Sequence, residues 1–91
     1  MNNMLSHHPN YVHSRGPGQW TFANLGSGNF GASVIIIDEG YEVIAEDDTG
    51  EFVYDTDFGG ERFCPTKAEI FAALDELASL DKDGRLLGLP A

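Results

Sequence analysis

Val34-Ile35-Ile36-Ile37-Asp38-Glu39-Gly40-Tyr41-Glu42-Val43-Ile44-Ala45-Glu46 is the stretch on which the fold turns. Four β-branched residues run into an acidic pair and a glycine, and an alternating segment follows. β-Branched side chains suit a pleated, half-buried strand. Asp38-Glu39-Gly40 has the makings of a three-residue hairpin loop, with Gly40 able to take the left-handed position. Along Tyr41–Glu46, alternation places Tyr41, Val43 and Ala45 on one face and Glu42, Ile44 and Glu46 on the other. An antiparallel hairpin is the expected centre of the fold.

Upstream, Gln19-Trp20-Thr21-Phe22-Ala23 reads as a further strand, joined to the hairpin through the glycine-rich connection Gly26–Gly31. Downstream, Asp47-Asp48-Thr49-Gly50 is a turn, and Glu51–Asp55 reads as the next strand. Its Phe52 and Tyr54 belong on the core side, with Glu51, Val53 and Asp55 opposite. Thr66 is a good N-cap, Glu69 follows at capping-box spacing, and Pro65 lies just outside. Ile70, Phe71, Leu74, Leu77 and Ala78 recur at helical spacing as one apolar stripe. Asp81-Lys82-Asp83-Gly84 closes the helix with Gly84 suited to the C′ position, and Leu86, Leu87 and Leu89 tuck against the core. Residues 1–18, with two prolines and three histidines, read as an irregular arm. Residues 19–91 then form one α+β domain: an antiparallel meander of three or four strands with a C-terminal helix packed on one face.

Charge is distributed very unevenly. From Gly16 to Glu61 there is no Lys or Arg, while ten carboxylates occur. They carry the chain's net charge of −10, because the segments on either side nearly balance. A field of one sign is a statement about partners rather than about fold. The acidic strand face, with Ile44 and Val53 at its centre, is the expected docking surface. Its residues are Asp38, Glu39, Glu42, Ile44, Glu46, Asp47, Asp48, Glu51, Val53, Asp55 and Asp57.

The same charge excludes several classes. Direct nucleic-acid binding is opposed by phosphate repulsion, and an anionic lipid surface repels the chain as well. The run Val34–Ile37 is far too short to span a bilayer, and the N-terminus lacks the pattern of a signal peptide, so a cytoplasmic location is expected. Cys64 is the lone cysteine, which rules out an internal disulfide. Its neighbouring acids oppose thiolate formation, so a packed structural cysteine is expected. His7, His8 and His13 sit on an arm without the fixed geometry that metal binding needs. Asp47, Asp48 and Glu51 surround a turn with no coordinating pattern, and Asp81-Lys82-Asp83-Gly84 has Arg85 where a calcium loop requires a ligand. Solvated carboxylates stay ionised and make poor general acids. No catalytic residue, metal or cofactor is expected.

Leu25-Gly26-Ser27-Gly28-Asn29-Phe30-Gly31 resembles the glycine-rich loop of protein kinases, and Asp57-Phe58-Gly59 supplies a second kinase-like triplet. The resemblance covers about ten residues and fails elsewhere, with no His-Arg-Asp loop and no lysine before Lys67 to hold phosphates. A strand follows these glycines where a dinucleotide fold needs a helix.

In size, acidity and cysteine content the chain is similar to small phage proteins of the anti-CRISPR and DNA-mimic kind. The resemblance rests on the acidic stretch Asp38–Glu61. It implies a non-enzymatic inhibitor of a basic, nucleic-acid-binding effector or nuclease, acting in the host cytoplasm. The mimicry would be partial: ten charges occupy about 17 Å of duplex axis, against roughly 30 Å for a domain of this length. An immunity protein that neutralises a toxin rests on the same physics. A structural subunit, pairing with a partner or a second copy through the Trp20 or the Glu51 strand, is the alternative of another class.

Overall fold

In the computed structural model, which describes residues 4–86, the central hairpin forms as the alternation requires. Strand β3 (Phe30–Ile37) pairs antiparallel with β4 (Gly40–Glu46), from Gly31 opposite Glu46 to Ile37 opposite Gly40. The connecting loop is therefore Asp38-Glu39, one residue shorter than the spacing predicts, and Gly40 opens β4 with φ 152°. Strand β2 (Gln19–Leu25) lies on the other side of β3.

Two further strands complete a five-stranded antiparallel sheet of order β1-β2-β3-β4-β5. Strand β1 (Tyr11–Gly16) comes from the segment expected to be an irregular arm. It pairs with β2, with register shifts on both sides of His13. Before it, Met4–His7 makes a 3₁₀ turn whose Leu5 is fully buried. The His8 ring sits edge-on to Phe22 at 5.5 Å and stacked on Phe71 at 6.0 Å. The arm is thus part of the domain.

Strand β5 is Glu61–Cys64, not Glu51–Asp55. The free edge of β4 has room for one partner along Tyr41–Ile44, and Glu61–Cys64 takes it. The Glu51 segment gains only the end of that edge, a single bridge between Phe52 and Glu46 and the bond from Val53 N–H to the Ala45 carbonyl. Consequently Phe52 and Tyr54, expected in the core, are exposed.

Helix α1 (Lys67–Ala78) starts at the capping box read from sequence. The Glu69 N–H donates to the Thr66 hydroxyl at 3.3 Å, and that hydroxyl donates to Glu69 Oε1 at 3.0 Å. Ile70, Ala73, Leu74 and Leu77 are buried, while Phe71 and Ala78 are half-buried and pack against the core. The helix covers one face of the sheet, where Phe22, Ala32, Val34, Val43, Ala45 and Cys64 meet it. It ends on Ser79 rather than at Gly84. Gly84 belongs to a separate turn in which Asp81 Oδ1 accepts from the N–H groups of Asp83 and Arg85. Leu86 packs against the core, and Leu87 and Leu89 lie outside the described residues. No helix among the described residues is long and apolar enough to cross a membrane.

Candidate functional site

The face of the sheet turned away from α1 is where the acidic residues were expected to converge. Strand pairing defines its rows. One runs Gln19–Ile35–Glu42–Phe63 and the next Thr21–Ser33–Ile44–Glu61. Phe63 is 51% exposed and Ile37 40% exposed, with Glu42 half-buried between Phe63 and Ile35. Glu42 and the exposed Glu61 are diagonal neighbours across β4 and β5. This part of the face is acidic and apolar together.

The expected site residues do not all meet there. Asp38 and Glu39 are exposed at one end of the hairpin, and Asp47, Asp48 and Glu51 lie at the other. The seven residues of β4 separate the two ends by about 20 Å. Ile44 is buried, and Val53 packs against the core, so the pair makes no exposed apolar centre. Asp55 is exposed beyond the sheet. Asp57 is tied to the chain after α1, accepting from Leu86 N–H at 2.8 Å and Arg85 Nη1 at 3.2 Å. The Leu86 bond, with the Arg85 guanidinium, holds its carboxyl below the usual carboxylate range.

Glu46 departs furthest from expectation. Its alternation is right, since it faces away from the helix opposite Gly31, but it is only 2% exposed. Its buried Oε2 has no hydrogen-bond partner, and neither has the buried hydroxyl of Thr21, a residue that borders the same hollow. That hollow, of about 220 Å³, is bounded by His13 and Arg15 of β1, Thr21 of β2, Gly31 of β3 and the Asp47–Gly50 turn. A Cβ on Gly31 would lie 2.7 Å from the Phe22 carbonyl oxygen and in ordinary contact, 3.5 Å, with Glu46 Oε1, so the close approach of β2 calls for glycine here. The rim is rigid where Asp47 Oδ1 accepts from the Thr49 hydroxyl (2.7 Å), Thr49 N–H (2.9 Å) and Glu51 N–H (3.0 Å). Those bonds hold the Asp47 carboxyl below its ordinary range.

Burial pushes the Glu46 carboxyl up, Arg15 and His13 draw it partly back, and Asp47 adds to the rise. A raised native value means the folded chain holds a proton that the unfolded chain has lost. This residue therefore subtracts stability as pH rises from the ordinary glutamate value through the native one, and the full penalty stands above both. Glu46→Gln should accordingly raise the thermal midpoint at pH 7, with the gain shrinking toward zero near pH 4. An equal gain at both values would mean that carboxylate desolvation is not the cause.

The kinase-like residues have structural occupations. Gly26–Asn29 is the β2–β3 turn, closed by Asn29 N–H to the Gly26 carbonyl. Phe58 is buried beneath the Arg62 guanidinium, 4.1 Å from its ring centroid, while Arg62 forks onto Glu76 with two bonds of 2.9 Å. Burial pushes the Cys64 thiol up and keeps it protonated, which disfavours nucleophilic use. Among the described residues, no group of three or more His, Cys, Asp or Glu side chains converges as a metal site.

Sequence reasoning missed Ile35, Ile37, Glu61 and Phe63 as surface residues and His13, Arg15 and Thr21 as pocket residues. The alternation Glu61-Arg62-Phe63-Cys64 carried the signal for β5, with Cys64 inward and Phe63 outward. Nothing in the order of residues 11–16 pointed at Glu46. No protein-family model, curated protein or solved structure matches the chain.

Proposed function

We propose that the protein is a small non-enzymatic inhibitor that docks on the basic, nucleic-acid-binding surface of a target protein. A nucleic-acid effector or nuclease is the target class, and the anti-CRISPR and DNA-mimic inhibitors are the nearest functional analogy. The observation that carries this reading is the exposed part of the sheet face turned away from α1, where Glu42 and Glu61 flank exposed Phe63 with Ile35 and Ile37 alongside. Such a surface combines long-range attraction of a basic partner with apolar groups for the short-range fit. The chain's net charge of −10 adds steering.

The edge-pairing alternative draws less support. The edges are β1 and β5, not the strands at Trp20 and Glu51. Strand β1 is irregular around His13 and β5 has four residues, both features that blunt an edge.

The test is capture of partners from host lysate at low salt and at roughly 0.5 M salt, with wild type and with Glu42→Lys/Glu61→Lys. Both positions are at least partly exposed, so the double variant should keep its circular dichroism spectrum and melting transition. A basic nucleic-acid-binding protein should be recovered by wild type, weakly at high salt and not at all by the variant. Unchanged capture by the folded variant would refute the proposal.

A further inference from the structure

The tip of the β3–β4 hairpin carries exposed apolar groups on both of its faces. On the face that meets α1, Val34 is fully buried but Ile36, two residues on, is 52% exposed, so the cover of that face ends between them. Ile37 is 40% exposed on the opposite face, beside half-buried Ile35 and exposed Phe63. Both isoleucines have a glycine as a cross-strand neighbour. Ile36 N–H donates to the Gly18 carbonyl at 2.8 Å, and Ile37 lies opposite Gly40, so neither gains cover from a side chain there. Half-buried Trp20 and Tyr41, with ring centroids 6.2 Å apart, extend the apolar surface on the Ile36 side. Asp38 and Glu39 are exposed at the apex, and half-buried Glu42 stands behind them on the Ile37 side.

Shape and charge narrow the partner. A flat surface covers one face of a sheet and leaves the other in water. Burying Ile36 and Ile37 together requires walls on both sides of a tip about 10 Å thick, the spacing of stacked sheets. Those walls have to be basic as well as apolar. Asp38 and Glu39 lose water as the tip enters, and carboxylates that meet no cation oppose entry. A second copy of the chain fails this requirement, since it brings a net charge of −10 and an identical acidic apex.

We propose that the β3–β4 tip enters a basic cleft of the partner, with Ile36 against one wall, Ile37 against the other, and lysine or arginine side chains of the cleft around Asp38 and Glu39. That the cleft belongs to a nucleic-acid-binding protein rests on the inhibitor reading; the two-walled fit does not. The test places the photo-cross-linker p-benzoylphenylalanine at position 36 of the full chain in one variant and at position 37 in another. Both are irradiated in host lysate at low salt, and the products are mapped by mass spectrometry.

Both positions should cross-link the same basic protein, at peptides from two separate segments that face each other across one cleft. Excess unmodified chain should suppress both products. Against that protein, once purified, Ile36→Ser and Ile37→Ser should each weaken affinity by about tenfold, the lower end for losing one buried isoleucine. Asp38→Lys/Glu39→Lys should weaken it further and flatten its salt dependence. All four positions are exposed in the free chain, so these variants should keep the wild-type melting transition. Cross-links from one position alone, or affinity unaltered by Ile36→Ser, would overturn the cleft. If position 37 alone cross-links a basic nucleic-acid-binding protein, the cleft falls and the inhibitor reading stands. If both positions map to a basic cleft in a protein that binds no nucleic acid, the tip assignment stands and the inhibitor reading falls. Cross-links only to a second copy, or none that excess chain suppresses, would overturn both.

Discussion

Leu5→Ala should lower the unfolding free energy by about 2–5 kcal/mol, the usual range for truncating a fully buried leucine. Domains of this kind have about 5–15 kcal/mol in total, so the urea midpoint should fall by a large fraction of its value. The prediction is large because Leu5 is 0% exposed and belongs to the main core cluster with Phe22 and Leu74. The neighbouring contacts should report the same docking. His8 lies between Phe22 and Phe71, its Nδ1 accepts from Asn10 N–H at 3.0 Å, and Asn10 Nδ2 donates to the Ala23 and Asn24 carbonyls. The first turn is therefore bound to both β2 and α1. A loss below about 1 kcal/mol, within the range of ordinary surface changes, would place Leu5 outside the core and restore the arm as a separate segment.

Gly26→Ala should cost more than any single positive-φ penalty. Gly26 has φ 67°, and a Cβ there would run into the backbone carbonyl of Ala78 at the end of α1. The left-handed conformation alone costs an L-residue about 1–2 kcal/mol. Forcing apart the β2–β3 turn and the helix end adds an overpacking cost of about 1–3 kcal/mol, because backbone has no alternative rotamer. Gly50→Ala separates the two contributions. Gly50 also has positive φ, 88°, but its Cβ would meet nothing within 4 Å. Chemical denaturation of both variants should show Gly26→Ala losing clearly more than Gly50→Ala. Equal losses would mean that the turn and the helix end are not in contact.

These two sites also mark how far the chain can be read in one dimension. Local signals were dependable where one short segment contains all the participants. Thr66 and Glu69 cap α1 three residues apart, and Ile70, Leu74 and Leu77 share a face because the helical period puts them there. In the same way, alternation in Tyr41–Glu46 correctly sorted Val43 and Ala45 toward the helix and Glu42 away from it. Each of those relations is a property of backbone geometry over a few residues.

Relations between distant segments were decided by competition for space. Glu51–Asp55 has as good a strand pattern as Glu61–Cys64, yet β4 offers one free edge and the later segment occupies most of it. The polar arm became β1 because the far edge of β2 was open to it. Glu46 shows the consequence for function. Sequence assigned it to the right face and an acidic residue to the right place, but burial depends on what other strands bring alongside. Gly31, Thr21 and the β1 residues His13 and Arg15, all distant in sequence, border a hollow with it, and its Oε2 is left without a hydrogen-bond partner. The chain by itself determined its secondary-structure periods, its caps and the sign of its field, since these need only neighbours in sequence. Tertiary structure alone decided which acids remain a solvated surface and which one becomes the floor of a pocket, because desolvation is set by the atoms of other segments.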